Sequence, residues 1–132
     1  MIGILIVTHG NLGKEFLKTA EIIMGKAENA AALSLAYEDD VLALKDMIRE
    51  KIIELDQGDG VVVFTDLFGG SPNNAAAANL KDLKFIGITG LNLPMLMECV
   101  TMREQMDTEE LAEHLQSAGK DGVKLLNKLY KV

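Results

Sequence analysis

A histidine and an aspartate, each close to glycine, are the residues of this chain whose type and setting suggest chemistry. His9 follows an apolar run from Ile2 to Val7, and Asp66 follows a second apolar run that begins at Val61. A carboxylate that accepts a hydrogen bond from one imidazole nitrogen fixes the tautomer and leaves the lone pair of the other nitrogen free. If the fold brings the two side chains together, His9 becomes a nucleophile with Nε2 as its outward nitrogen.

A glycine-rich loop follows Asp66 and has the composition of an anion site. Gly69 and Gly70 allow the backbone to approach a ligand closely, and Ser71 followed by Pro72 is typical of the start of a helix. The first amides of a helix and the positive end of its dipole attract negative charge. Two roles are open for Ser71: a cap of this helix, or a direct hydrogen bond to the ligand. The loop is not a Walker motif, because no lysine follows the glycines.

The settings of the remaining reactive side chains argue against chemistry that uses a metal, a thiol or an arginine. His114 lies among polar residues of a late helical pattern and is predicted to be a solvated surface residue. Cys99 stands in an apolar stretch, where a small buried side chain is expected. The arginines, Arg49 and Arg103, fall in helical patterns away from the strand ends. No metal and no cofactor are therefore predicted, and the site suits a phosphoryl group that is held briefly and passed on.

The elements that position these residues follow from hydrophobic periodicity. Short apolar runs alternate with longer helical patterns, which indicates βαβ units around a parallel sheet. The predicted strands are Ile2–Val7, Asn29–Tyr37, Val61–Leu67 and Phe85–Thr89. We expect an α/β fold with a doubly wound, mostly parallel four-stranded sheet in the flavodoxin-like order 2-1-3-4 and helices on both faces. In that order, strands one and three are neighbours and their carboxyl ends border the ligand crevice.

Two segments late in the chain are unusual. Residues 93–106 carry many of the methionines and are apolar on more than one face, which predicts a subunit interface there, with a deeper local core as the alternative. Beyond them, Asp107 or Thr108 is expected to begin a helix. The tail from Gly122 fits neither the helical nor the strand period, so its conformation is left open at this point.

The composition and length limit the kinds of protein that this chain can be. The chain has 132 residues, 48% of them hydrophobic and 25% charged, and a net charge of −7. This size predicts one domain over residues 1–132. The acidic balance without a basic stripe argues against nucleic-acid binding. The opening apolar run has no basic flank and no cleavage site, so we expect neither a signal peptide nor a membrane span and assign the protein to the cytoplasm.

The motifs together resemble a known family. Residues 6–21 (IVTHGNLGKEFLKTAE) and 65–77 (TDLFGGSPNNAAA), with 90–98 (GLNLPMLME) and a weaker match at 118–126 (AGKDGVKLL), are similar to the EIIA component of the mannose family of the bacterial phosphoenolpyruvate-dependent sugar phosphotransferase system. The resemblance covers essentially the whole chain. It implies an α/β homodimer and a phosphotransferase that works through a phosphohistidine.

The resemblance also implies partners and roles. His9 would accept a phosphoryl group from the phosphocarrier protein HPr and donate it to the EIIB component for sugar uptake. Asp66 matches the aspartate beside the active histidine, and Ser71 matches the serine of the glycine-glycine-serine loop. Members of the family exchange a carboxyl-terminal strand between subunits, which could explain the tail from Gly122. Because no alanine- and proline-rich linker follows, a free-standing EIIA is expected, touching the membrane only through its transporter complex.

Two other readings compete with this one. The phosphotransfer subunit that feeds a dihydroxyacetone kinase shares the fold and the histidine, but the motifs at 65–77 and 92–94 are more similar to a sugar-system EIIA. A flavodoxin-like module that binds a nucleotide or flavin is the alternative outside phosphotransfer. Only 5% of the residues are aromatic, and Phe68 alone lies near the predicted crevice to stack on a ring.

Overall fold

The computed structural model describes all residues from Met1 to Val132, with four strands and six helices. In chain order the elements are β1 (Gly3–His9), α1 (Leu12–Met24), β2 (Ala30–Leu35), α2 (Val41–Leu55), β3 (Val61–Thr65), α3 (Ser71–Ala77), β4 (Ile86–Thr89), α4 (Leu93–Met102), α5 (Thr108–Asp121) and α6 (Leu126–Leu129). The strands form one parallel sheet in the order β2-β1-β3-β4, which confirms the predicted topology.

The alternation of side chains along the central strands divides the core into two layers. Ile4 and Ile6 face one side, where α1, α4 and α5 pack, while Leu5 and Val7 face the other, where α2 and α3 pack. All four side chains are fully buried. Helices thus cover both faces of the sheet, as expected for strands that are apolar at consecutive positions.

The register places the ends of β1 and β3 side by side. Val7 pairs with Thr65, the last residue of β3, and His9 pairs with Leu35 at the end of β2. The next residue after β3 is Asp66. His9 and Asp66 therefore leave adjacent strands at the same edge of the sheet, which is the edge at which doubly wound folds bind ligands.

The methionine-rich stretch at 93–106 contributes to the core of the chain itself. Met95, Leu96 and Cys99 of α4 are buried in the layer that α1 and α5 share. Burial raises the pKa of the Cys99 thiol to about 12, as an apolar environment disfavours the thiolate. The local core that was the alternative explanation is therefore present, and a dimer interface at 93–106 stays a prediction.

Arg103 lies just after α4 and is buried, although the sequence placed it only in a helical pattern. Its Nη1 donates to the carbonyl oxygen of Ile2 at 3.0 Å and its Nη2 to that of Glu28 at 2.6 Å. These carbonyls precede β1 and β2, at the edge of the sheet opposite His9. Arg103 thus ties together the amino-terminal ends of two strands and is remote from the predicted site.

Two late features refine the sequence analysis. Asp107 caps α5, since its side chain accepts the N–H of Glu110 at 2.9 Å, as the predicted helix start requires. His114 of the same helix is half-buried rather than solvated, because its Nε2 lies 2.7 Å from Oε2 of Glu98 on α4.

The tail ends in the short helix α6, whose apolar side chains are exposed; the exchanged strand stays a prediction. None of the six helices combines the length and the hydrophobicity that a transmembrane segment requires.

Candidate functional site

His9 is presented by the last position of the central strand β1. The strand is buried up to Thr8, and the His9 side chain is 48% exposed at its carboxyl end. The turn that follows is fixed from both sides: Thr8 Oγ1 accepts the N–H of Gly13 at 2.8 Å, and Gly10, with a φ of +54°, donates its N–H to the carbonyl of Leu35 at 2.8 Å. A rigid backbone therefore carries an imidazole that solvent and a partner can reach.

Asp66 orients that imidazole. Its Oδ2 lies 2.9 Å from Nδ1 of His9 and also accepts the backbone N–H of His9 at 3.0 Å. An ionised carboxylate only accepts hydrogen bonds, so Nδ1 carries the ring proton and Nε2 keeps its lone pair. The structure brings together the two residues that the sequence predicted, with Nε2 as the outward nitrogen.

The loop after Asp66 is a tight turn against the histidine. Gly70 donates its N–H to the carbonyl of Leu67 at 3.1 Å, and Gly69 has a φ of +81°, as the third residue of a type II turn requires. A Cβ atom on Gly70 would lie 2.8 Å from Cε1 of His9. Gly70 is therefore needed for close packing of the ring, and its amide is engaged within the turn. Binding of a ligand by Gly69 and Gly70 stays a prediction.

Ser71 is the first residue of α3 and not its N-cap, so the predicted cap role is wrong. The cap position is Gly70, which has no side chain to accept a bond, and Pro72 occupies the following helical position. The helix begins one residue earlier than predicted, because the turn at 67–70 leads directly into it. The hydroxyl and the amide N–H of Ser71 make no hydrogen bond within the chain, so both are available to a ligand.

The site contains neutral donors and one acid, without arginine. Arg49 lies on the exposed surface of α2, and Arg103 is bonded to carbonyls at the opposite edge of the sheet. No group of three or more histidine, cysteine, aspartate or glutamate side chains could hold a metal ion. The arrangement suits a nucleophilic nitrogen beside a small anion site.

Two features of this edge go beyond the sequence analysis, which placed Phe68 near the crevice but did not predict its exposure and did not single out Asn74. Phe68 is 81% exposed and Leu67 is 61% exposed, side by side at the tip of the turn that touches His9. Asn74 of α3 donates from its side chain to the carbonyl of Gly69 at 3.2 Å. A large apolar pair next to a candidate nucleophile was visible in the sequence, but its exposure depends on the turn. Nothing in the sequence distinguished Asn74 from Asn73.

Comparisons with known families, sequences and structures all identify the same protein family. Residues 3–116 match the family described as "PTS system fructose IIA component". The chain is 34% identical over 127 residues to the PTS system mannose-specific EIIAB component of Escherichia coli (strain K12), covering 95% of this chain but 39% of that protein. The chain thus spans well under half the length of such EIIAB relatives.

Shorter relatives match over most of their length. The chain is 30% identical over 113 residues to the PTS system sorbose-specific EIIA component of Lacticaseibacillus casei, which covers 85% of this chain and 81% of that protein. Among solved structures, the phosphotransferase system component EIIA from Streptococcus agalactiae superposes with a TM-score of 0.89 at 28% identity, covering 97% of this chain and 99% of the other. The similarity extends over both the strands and the loops that carry the site.

Proposed function

The chain belongs to the mannose family of EIIA components of the sugar phosphotransferase system, and from this premise we propose that His9 carries a phosphoryl group from phospho-HPr to the EIIB component. The observation that carries the proposal is the pair His9–Asp66, in which the bond to Nδ1 leaves Nε2 free at the edge of the sheet. Residues 1–132 serve as a single EIIA domain in this proposal.

The first transfer uses the lone pair of Nε2. Nε2 attacks the phosphorus of the phosphohistidine on HPr; the new N–P bond forms as the old one breaks, and the electron pair of the old bond returns to the imidazole of HPr. In the second transfer a nucleophile on EIIB attacks the same phosphorus, and the electron pair of the Nε2–P bond returns to His9. No proton has to leave Nδ1 in either step, so the ring is ready for the next cycle.

Asp66 supports both transfers through the ring. While Nε2 is bonded to phosphorus, the imidazole carries positive charge, and the carboxylate 2.9 Å from Nδ1 stabilises that charge. Its second bond, to the backbone N–H of His9, fixes the carboxylate relative to the strand. Asp66 thus orients the nucleophile and stabilises the phosphorylated state.

The phosphoryl oxygens meet neutral donors. The hydroxyl and the amide N–H of Ser71 have no partner within the chain, and Ser71 directly follows the glycine that packs against the His9 ring. Backbone amides and hydroxyl groups stabilise an anion without the bidentate grip of an arginine. A site of this kind holds the group long enough for a partner to bind and then releases it.

The partners are proteins, and the edge around His9 offers an apolar contact for them. Phe68 and Leu67 project into solvent beside the imidazole. A relay protein has to form short-lived complexes with a donor and then with an acceptor, and an exposed aromatic side chain supplies much contact area at small entropic cost. The net charge of −7 favours encounter with a partner that has basic residues around its own histidine.

A homodimer with exchanged tails is the proposed assembly. β4 is an edge strand of the sheet, and a cavity of about 680 Å³ lies between it and α5. The tail beyond Gly122 has apolar side chains that nothing in its own chain covers, among them Val123, Leu125 and Val132. If the tail of the partner subunit formed a strand paired with β4, these side chains would be buried. The dimer, placed in the cytoplasm, would contact the membrane through the transporter.

The test is phosphorylation in a purified system. The chain is incubated with phosphoenolpyruvate, the first enzyme of the system and HPr, and its intact mass is measured. We expect a gain of one phosphoryl group, labile in acid, and no gain in His9→Ala. His114→Ala is the matched control, because the chain has two histidines and His114 lies on α5. No gain in wild-type mass while HPr is charged would refute the proposal.

A further inference from the structure

The peptide group between Gly69 and Gly70 is held at both of its ends. Its carbonyl oxygen, on Gly69, accepts a bond from Nδ2 of Asn74 at 3.2 Å, and its N–H, on Gly70, donates to the carbonyl of Leu67 at 3.1 Å. The C=O and N–H of a trans peptide point in opposite directions. Two bonds on opposite sides therefore fix the rotation of the whole peptide plane.

Asn74 also holds the next peptide group. Its backbone N–H donates to the carbonyl of Gly70 at 2.9 Å, in addition to the bond from its side chain to the carbonyl of Gly69. One residue of α3 thus bonds two successive carbonyls of the turn. Because Gly69 has a φ of +81° and both residues are glycine, the turn has little conformational restraint of its own. Asn74 supplies a restraint that the glycines lack.

The restrained backbone is the surface on which the imidazole rests. An added Cβ on Gly70 would lie 2.8 Å from Cε1 and 3.5 Å from Nε2 of His9. Asp66 holds the ring at the adjacent atom, Nδ1. The imidazole therefore has a carboxylate at one ring atom and a glycine backbone close to the next, and the direction of Nε2 depends on both.

We propose that Asn74 is a positioning residue for phosphoryl transfer, which fixes the Gly69–Gly70 backbone against His9 and thereby aims Nε2 and the donors of Ser71 at the phosphoryl group. This rests on the proposed function. The side chain of Asn74 is exposed, so water can replace its bond to the Gly69 carbonyl when it is removed. Loss of Asn74 should therefore alter the geometry of the turn more than the stability of the fold.

Asn73 provides a matched control on the same helix. Its Oδ1 accepts a bond from Oγ1 of Thr65 at 3.2 Å, and its Nδ2 donates a long bond, 3.4 Å, to Oδ1 of Asn74. It makes no bond to a carbonyl of the turn. Asn73→Ala and Asn74→Ala change the helix propensity of α3 equally, but only the second removes the hydrogen bond to the carbonyl of Gly69.

The kinetic test measures transfer from phospho-HPr to the purified full chain over a range of donor concentrations. We expect Asn74→Ala to lower kcat about ten-fold with little change in KM, because a misaimed nucleophile reacts slowly once bound. Asn74→Asp should lower kcat further, since a carboxylate cannot donate to the Gly69 carbonyl and repels it. Asn73→Ala should stay close to wild type. Wild-type kcat in Asn74→Ala, or an equal loss in Asn73→Ala, would overturn the proposal.

A second measurement separates this proposal from the proposed function. In Asn74→Ala, hydrogen exchange of the Gly70 amide should become faster and the nuclear Overhauser contact between Gly70 and His9 Cε1–H should weaken, while Asn73→Ala should preserve both. Unchanged exchange and contact in Asn74→Ala would overturn the positioning role. If the wild-type chain accepts no phosphoryl group, the proposed function fails, and these spectra still decide whether Asn74 holds the turn.

Discussion

Oδ2 of Asp66 accepts two hydrogen bonds from His9, one from the ring Nδ1 at 2.9 Å and one from the backbone N–H at 3.0 Å. The carboxylate is thus fixed to the strand that carries the ring it orients. The side chain is 12% exposed, so solvent competes little for the oxygen that holds Nδ1. Because both hydrogen bonds converge on one oxygen, Asp66 is the first residue to test.

We expect Asp66→Asn to slow phosphoryl transfer by about 10²-fold or more while the chain stays folded. An amide can donate to Nδ1, which favours the tautomer with the proton on Nε2, where the lone pair is needed. Transfer from phospho-HPr is measured together with the urea midpoint of unfolding. Kinetics equal to wild type would remove Asp66 from the mechanism.

Gly70→Ala should impair transfer by displacing the imidazole, because the new Cβ would lie 2.8 Å from Cε1. The loss should be about 10²-fold, the cost typical of an ångström-scale misplacement at a reacting centre. Gly87→Ala on β4 is the control, since an added Cβ there meets its nearest side-chain atom at 3.5 Å. If Gly70→Ala transfers at the rate of Gly87→Ala, the ring does not depend on that contact.

Phe68→Ser should raise KM for phospho-HPr several-fold and leave kcat near the wild-type value, because the side chain contacts the partner and not the phosphorus. Ile22→Ser on α1 removes a side chain of similar exposure, 85% against 81%, away from the proposed docking edge. Steady-state transfer with varied phospho-HPr gives both constants. An equal KM in the two variants would exclude Phe68 from docking.

Arg103→Met should destabilise the fold by about 2 to 4 kcal/mol, since it removes the donors to the carbonyls of Ile2 and Glu28, the first of which is buried. Arg49→Met, on the exposed surface of α2, should change the free energy of unfolding by less than about 0.5 kcal/mol. Urea unfolding followed by circular dichroism checks both. Transfer activity of folded Arg103→Met should be preserved, because Arg103 lies at the opposite edge of the sheet.

Cys99 should make stability depend on pH in the alkaline range. Its pKa is raised from 9.0 to about 12 by burial, so above pH 9 the unfolded chain ionises at this thiol while the folded chain does not. This contribution to stability is complete below pH 9 and is lost as the pH rises toward 12. Thermal unfolding of wild type and Cys99→Ala should therefore converge as the pH is raised. Parallel pH profiles of the two proteins would contradict the burial of a neutral thiol.

The hydrophobic pattern was sufficient to predict the sheet. Consecutive apolar residues such as those of β1 and β3 are compatible only with strands covered on both faces, and the helical patterns between them require parallel connections. These rules place the ends of β1 and β3 side by side, which is why His9 and Asp66 could be paired although they are 57 positions apart. Strand ends differed from the prediction by no more than two residues, because turn geometry and not hydrophobicity decides where a strand stops.

The sequence by itself was sufficient to predict the layers, the strand order and the pairing of His9 with Asp66, because burial and chain connectivity leave few arrangements for them. Only the tertiary structure decided that Gly70 packs on the ring, that Ser71 lies inside α3 with a free hydroxyl, and that Asn74 restrains the turn. It also decided that Arg103 is buried and that His114 bonds Glu98. These contacts depend on differences of a few tenths of an ångström in the separation of loops and side chains, which residue types and spacing do not encode locally.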